Sequence, residues 1–376
     1  GIVDYAEASV GETYGYFFGW FMATIYYPTL TSVLAWVSAR FVCVLIGWDI
    51  VGPECMVIAL FFLVGSYALN ALSPILAGKF QVAATIIKLI PLVLMAVVGT
   101  IFGLMNGMTV ENFTTVVDPS KSSMTALFTA VVATAFAYEG WIIATSINAE
   151  LHDAKKNLPK ALLGGTIIVM VVYIAYYIGL AGTVSNETMM AGGQDGAKIA
   201  FGMVFSNVAG TLLFVFVIIS CLGTLNGLML GCTRGLYAIA ARGRGPRPEI
   251  LSQVDDRTNM PSNSAIVGVL LCAFWFMYFY GANLVAVPWF GFFSFDTSEL
   301  PIVATYALYI PIFIMMMTKE KELGTFKGKV MPMLAILGSI FMVVAAVFSH
   351  QWKVLAFVAL FVIFMLPGVL TAKKKA

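Results

Sequence analysis

Long apolar runs, repeated along the whole length, constrain this chain more than any motif in it. Ten stretches reach roughly 17 residues or more, enough for a helix to cross a hydrocarbon layer. They lie near 14–45, 55–77, 81–105, 124–149, 161–180, 208–241, 265–280, 295–317, 331–349 and 352–370. With 60% apolar and 11% charged residues among 376, the chain carries more apolar surface than a soluble core of that length could enclose. The expected fold is an all-α polytopic membrane protein. The first and sixth runs are longer than a hydrocarbon layer of roughly 30 Å requires, so they are expected to tilt or to project beyond it.

Charge sets the expected orientation. If both ends of this segment are cytoplasmic, the inner connections hold 16 of the 21 Lys and Arg residues, among them Lys155, Lys156, Arg242, Lys327 and Lys373. The outer connections hold only Lys121, Lys198 and Lys353, while Arg40 and Lys88 fall within spans. Such a bias follows the positive-inside rule and independently calls for an even number of spans. The expected location is the cell membrane.

Other function classes lose support at this level. A balance of 21 basic and 19 acidic residues leaves no basic face for a nucleic-acid partner. Cys43, Cys55, Cys221, Cys232 and Cys272 lie in or beside apolar runs at irregular spacing, which is neither a disulfide framework nor a metal pattern. No nucleotide-binding loop supports an ATP-driven pump, and no nucleophile with a base supports an intramembrane enzyme. No cofactor and no metal are expected. Ten spans rich in glycine point to transport.

The fourth run contains TAFAYEGWIIAT, residues 134–145, and places Glu139 near the middle of a span. A carboxylate at that depth costs at least about 2.5 kcal/mol on insertion scales, so something must offset it. Gly140 permits the backbone to leave the helical path there, and an unwound stretch is tolerated at membrane depth only where it lines a cavity. The carbonyls freed by a break could hold an ammonium group. Phe136, Ala137, Tyr138, Glu139, Gly140 and Trp141 are therefore the candidate substrate-binding residues. The alternative is a continuous helix in which Glu139 pairs with a neighbour.

Lys88 is the second costly residue. Counted from Gln81, it lies roughly 10 Å inside the third run, from where a lysine can also snorkel to the inner interface. Pro91, one turn on, frees the carbonyl of Ile87. Thr224 and Asn226, between Gly223 and Gly227, either face the bundle or mark close helix packing. Asp296 and Glu299 share a face if the eighth span has begun by then, and in that case they could line a vestibule. Otherwise they are a solvated helix start on the outer side. Tyr173, Tyr176 and Tyr177 could reach Lys88 but as a cluster read as core and belt residues, Tyr26, Tyr27 and Pro28 as a packing kink, and His152 and His350 as loop residues.

FAYEGW followed by NAELHDAKKNLPKAL, residues 148–162, resembles the sixth helix and following cytoplasmic loop of the amino acid–polyamine–organocation superfamily, nearest to its L-amino acid transporter branch and bacterial relatives. IKLIP at 87–91, LGTLNG at 222–227, TRGLYAIAARG at 233–243 and NMPSNSA at 259–265 extend the resemblance over most of the chain in family order. It implies a LeuT-like bundle of two inverted five-helix repeats around a midplane site, with two peripheral helices. Family members usually have twelve spans with the sixth broken. Here the fourth is the broken one, so the resemblance implies two further helices ahead of Gly1, with the glycine-rich break that holds the substrate carboxylate. Residues 1–107 would then be the remainder of the first repeat, 108–317 the second repeat and 318–376 the peripheral pair.

The resemblance further implies that Lys88 takes the place of the ion bound by sodium-coupled relatives. The expected activity is secondary transport of amino acids by alternating access, as sodium-independent exchange of small neutral L-amino acids. The alternative is a transporter or antiporter of cationic amino acids or amines, coupled to protons, for which Glu139, Asp296 and Glu299 speak. The partners are an amino acid or amine and the lipid bilayer. Nothing in the sequence specifies an oligomeric state.

Overall fold

The computed structural model describes residues 1–115, 124–145, 151–193 and 196–372. Lys121, Lys373 to Lys375 and the motif residues 148–150 lie outside them. Among the described residues, ten helices are long and apolar enough to cross a membrane, and there are no strands. After a short helix α1 (Ile2–Ser9), they are α2 (Glu12–Ile46), α3 (Pro53–Leu72), α4 (Ile75–Asn106), the pair α5 (Met124–Tyr138) and α6 (Trp141–Ala144), and α7 (Ala154–Ala181). Then come α8 (Asn207–Ala240), α9 (Ser262–Leu284), α10 (Leu300–Lys319), α11 (Phe326–His350) and α12 (Lys353–Leu370).

α8 is the hub, packed against α2, α4 and α9. Glycine makes this approach possible, because helices in lipid associate by close packing and not by the hydrophobic effect. A Cβ on Gly268 of α9 would stand 2.4 Å from the Cys232 carbonyl oxygen of α8, and one on Gly231 would stand 2.7 Å from the Tyr27 ring of α2. α4 and α7 meet in the same way: a Cβ on Gly179 would lie 2.1 Å from the Met95 carbonyl oxygen, and one on Gly103 2.2 Å from the Gly182 Cα.

At Tyr26 to Pro28, where a packing kink is expected, α2 stays helical. A widened π-turn at Met22–Tyr26 runs into continuous helix. Pro28 has no amide for the carbonyl of Thr24, and Trp275 Nε1 of α9 donates to that oxygen at 2.8 Å. The hydroxyls of Thr29, Thr31 and Ser32 donate to carbonyls one turn back, at 2.7, 2.6 and 2.6 Å, so these three buried hydroxyls are satisfied within α2.

Among the boundaries that differ from the sequence expectation, two bear on the candidate site residues. α4 starts at Ile75, not near Gln81, because Ser73 and Pro74 together form a helix start, with the Ser73 side chain accepting from the Leu76 amide. The eighth span starts at Leu300. The aromatic segment before it folds over α9, where Tyr278 donates to the Phe293 carbonyl and Phe295 is buried. At the basic end, Arg242 pairs with Asp4 and Glu7, Arg244 with Glu12 at 2.7 Å, and Lys319 donates to the Ser9 carbonyl at 2.7 Å. These contacts tie α1 and the start of α2 to the connection after α8, and α1 to the end of α10.

Candidate substrate site

The fourth span is broken. α5 ends at Tyr138, Gly140 takes φ +107°, and α6 starts at Trp141. That backbone angle is nearly strain-free only for glycine. The Glu139 amide reaches back three residues to the Phe136 carbonyl at 3.4 Å, and the ladder resumes with the Ile143 amide on the Gly140 carbonyl at 3.1 Å. Tyr173 of α7 donates to the Ala137 carbonyl at 3.1 Å, while its ring meets Tyr138 edge-on at 5.2 Å.

The break opens onto a cavity of about 570 Å³. α2 contributes Leu30 and Leu34, α4 Gln81 and Lys88, the break Phe136, Ala137, Glu139 and Gly140, α7 Tyr173, and α8 Ser220, Cys221 and Thr224. With α4 starting at Ile75, Lys88 stands about 20 Å along that helix, and it lines the cavity. Glu139 lines the same cavity and accepts from the Tyr26 hydroxyl. No ion pair joins Lys88 to Glu139 among the described residues. A hydrogen bond to a charged group contributes about 1.5–3 kcal/mol, which offsets part of the cost of the buried carboxylate.

Other expected site residues lie elsewhere. Tyr138 and Trp141 flank the break without lining the cavity; the Trp141 ring lies 5.7 Å from that of Tyr309. Asn226 is buried as a polar clasp, accepting from Asn70 of α3 at 2.8 Å and donating to the Ala77 carbonyl of α4 at 3.1 Å. It sits two residues after Thr224, roughly 200° around the helix, so the two cannot face the same space. Asp296 and Glu299 do not share a helical face, since the helix starts after them. Asp296 accepts from the Ser298 amide and hydroxyl at 2.7 and 2.6 Å, and Glu299 pairs at 2.8 Å with His350, which ends α11 instead of lying in a loop. Neither carboxylate lines the cavity.

Sequence reasoning missed Tyr26 as the partner of Glu139, and Gln81, Ser220 and Cys221 as lining residues. It read Tyr173 as core, although this residue is the donor at the break. Among the described residues, no three His, Cys, Asp or Glu side chains gather as metal ligands.

Ten membrane-crossing helices around a cavity at a broken span define an integral membrane protein of the transporter class. The amino acid permease family profile matches residues 1–367, and the chain belongs to that family, whose members are transporters and not enzymes. It is 30% identical over 349 residues to the serine/threonine exchanger SteT of Bacillus subtilis (strain 168), covering 91% of this chain and 74% of the exchanger. The human b(0,+)-type amino acid transporter 1 is 26% identical over 384 residues, 98% of this chain and 73% of the transporter. The human cystine/glutamate transporter is 26% identical over 251 residues, 66% of this chain, and the match spans 49% of that protein's length.

Proposed function

We propose that this chain forms the greater part of a secondary transporter that moves amino acids across the cell membrane by alternating access. Its activity is sodium-independent exchange of small neutral L-amino acids. The observation that carries this reading is that Lys88 and the Glu139–Gly140 break line one cavity. The substrate ammonium is held by carbonyls at the break and by Glu139, while Lys88 supplies a fixed positive charge where a bound sodium ion would otherwise be needed. Membership of the permease family and likeness to a serine/threonine exchanger support the substrate class. We further infer that both ends of this segment are cytoplasmic, from the charge bias, and that residues 1–107, 108–317 and 318–376 belong to the first repeat, the second repeat and the peripheral pair.

One observation favours a second reading, the transport of cationic amino acids or amines: among the described residues, Glu139 is the single carboxylate on the cavity wall. The outer Asp296 and Glu299 lend it no support, because both are engaged locally. Counterflow uptake into proteoliposomes of the full-length protein separates the two. Preloading with serine or threonine should drive labelled uptake at least tenfold better than preloading with lysine, arginine or putrescine; the reverse ranking would replace the first reading by the second.

A further inference from the structure

A second cavity, of about 590 Å³, lies at the basic end of the bundle, apart from the one at the break. Its body is apolar, built by Trp20 of α2, Leu236 of α8, Ile266 and Leu271 of α9 and Phe364 of α12. The polar groups along this wall are already engaged. Trp20 Nε1 donates to the Phe364 carbonyl at 2.9 Å, the Thr24 hydroxyl to the Trp20 carbonyl at 2.8 Å, and the Asn263 amide to the Ile250 carbonyl at 3.1 Å. Apart from the rim, the wall offers little to orient a small polar solute, so the body of the space suits an aliphatic chain.

Arg247 is the exception on this wall. It is exposed at the cavity and its guanidinium has no ion pair or hydrogen bond among the described residues, whereas Arg242 and Arg244 nearby are held by Asp4, Glu7 and Glu12. Its backbone is fixed in the left-handed region at φ +44°. The amides of Ile250 and Leu251 bond to its carbonyl at 2.9 and 3.1 Å, and the Gly245 amide bonds to the Thr371 carbonyl at 3.2 Å, so the connection is pinned to α12. Among the described residues, the chain thus holds a cation without a counter-charge beside an apolar groove between membrane helices.

The geometry points to a binding site for one anionic phospholipid, with an acyl chain in the groove between α2, α9 and α12 and the phosphate on Arg247. Charge complementarity selects this occupant. A guanidinium matches a phosphodiester in a bidentate fork, a sterol offers no anion, and a zwitterionic headgroup brings its own cation. The assignment rests on the orientation inferred above, which puts the basic connections in the leaflet rich in anionic lipid. It does not depend on the substrate site.

Native mass spectrometry of the delipidated full-length protein, titrated with phosphatidylglycerol, phosphatidylcholine and cholesterol, tests it. Wild-type protein should take up one phosphatidylglycerol saturably and at least tenfold more tightly than phosphatidylcholine. Arg247→Ala should bring the two lipids within about twofold of each other, and Leu271→Trp, which fills the groove, should abolish the tight equivalent. Equal affinity of the wild type for both phospholipids, an unchanged preference in Arg247→Ala, or displacement of phosphatidylglycerol by equimolar cholesterol would overturn the assignment. If Leu271→Trp does not fold, Arg247→Ala decides alone, because that side chain has no internal partner to lose. Exchange activity measured on the same preparations reports separately on the substrate site.

Discussion

At the scale of single residues, the costly Glu139 is explained by what it meets: a tyrosine hydroxyl on one side and an open cavity on the other. Tyr26→Phe removes the hydrogen bond and leaves the ring, so about 1.5–3 kcal/mol of support for the carboxylate is lost. Substrate affinity should fall at least tenfold in equilibrium binding while the protein remains monodisperse. Glu139→Gln keeps shape and hydrogen bonding but cannot change charge. Wild-type uptake should vary with pH and Glu139→Gln uptake should not, and an unaltered pH profile together with an unaltered substrate ranking would reduce Glu139 to a packing role. Lys88→Ala removes the fixed charge from the wall and should slow exchange at least tenfold. Wild-type uptake should be unchanged when choline replaces sodium at constant pH; a collapse would remove the ion-substitute role of Lys88.

Helices and their breaks carry the next level. Gly140 has nothing within 4 Å of where a Cβ would stand, so Gly140→Ala tests backbone conformation without a clash. A left-handed residue costs about 1–2 kcal/mol when it gains a Cβ, which should appear as roughly a tenfold loss of substrate affinity with little loss of expression. Gly179→Ala is the contrasting case, since its Cβ would press on the Met95 backbone. It should destabilise the α4–α7 contact by about 1–3 kcal/mol, read as a lower melting temperature in detergent. Much of this level was legible in sequence, because an apolar run, a glycine and a carboxylate out of place each have a local cause. What was not legible depends on which helices become neighbours. Tyr26 reads as part of a kink until α2 is seen against the break. Asn226 reads either as bundle-facing or as a mark of close helix packing, and Asn70 and the Ala77 carbonyl beside it decide for packing. Asp296 and Glu299 share a face only if the helix starts early, and the Phe295 anchor delays it.

At the scale of the whole molecule, α2, α4, α7 and α8 close around a broken fourth span, and the cavity they enclose is the amino acid site we propose. The count of spans followed from hydrophobic length alone, since lipid forces every backbone group into helical hydrogen bonds. The place of the cavity did not, because it is set by glycine contacts on α8 that no periodicity reveals. The most direct measurement is substrate protection of a single thiol on the cavity wall. Thr224 lines the cavity and is exposed to it, and Cys43, Cys55, Cys232 and Cys272 are buried, so Thr224→Cys in a Cys221→Ala background presents one reactive site. In the full-length protein, a small cationic methanethiosulfonate should label it, and saturating serine or threonine should slow that labelling at least fivefold. A labelling rate indifferent to every amino acid that the same protein exchanges would contradict the assignment of this cavity as the substrate site.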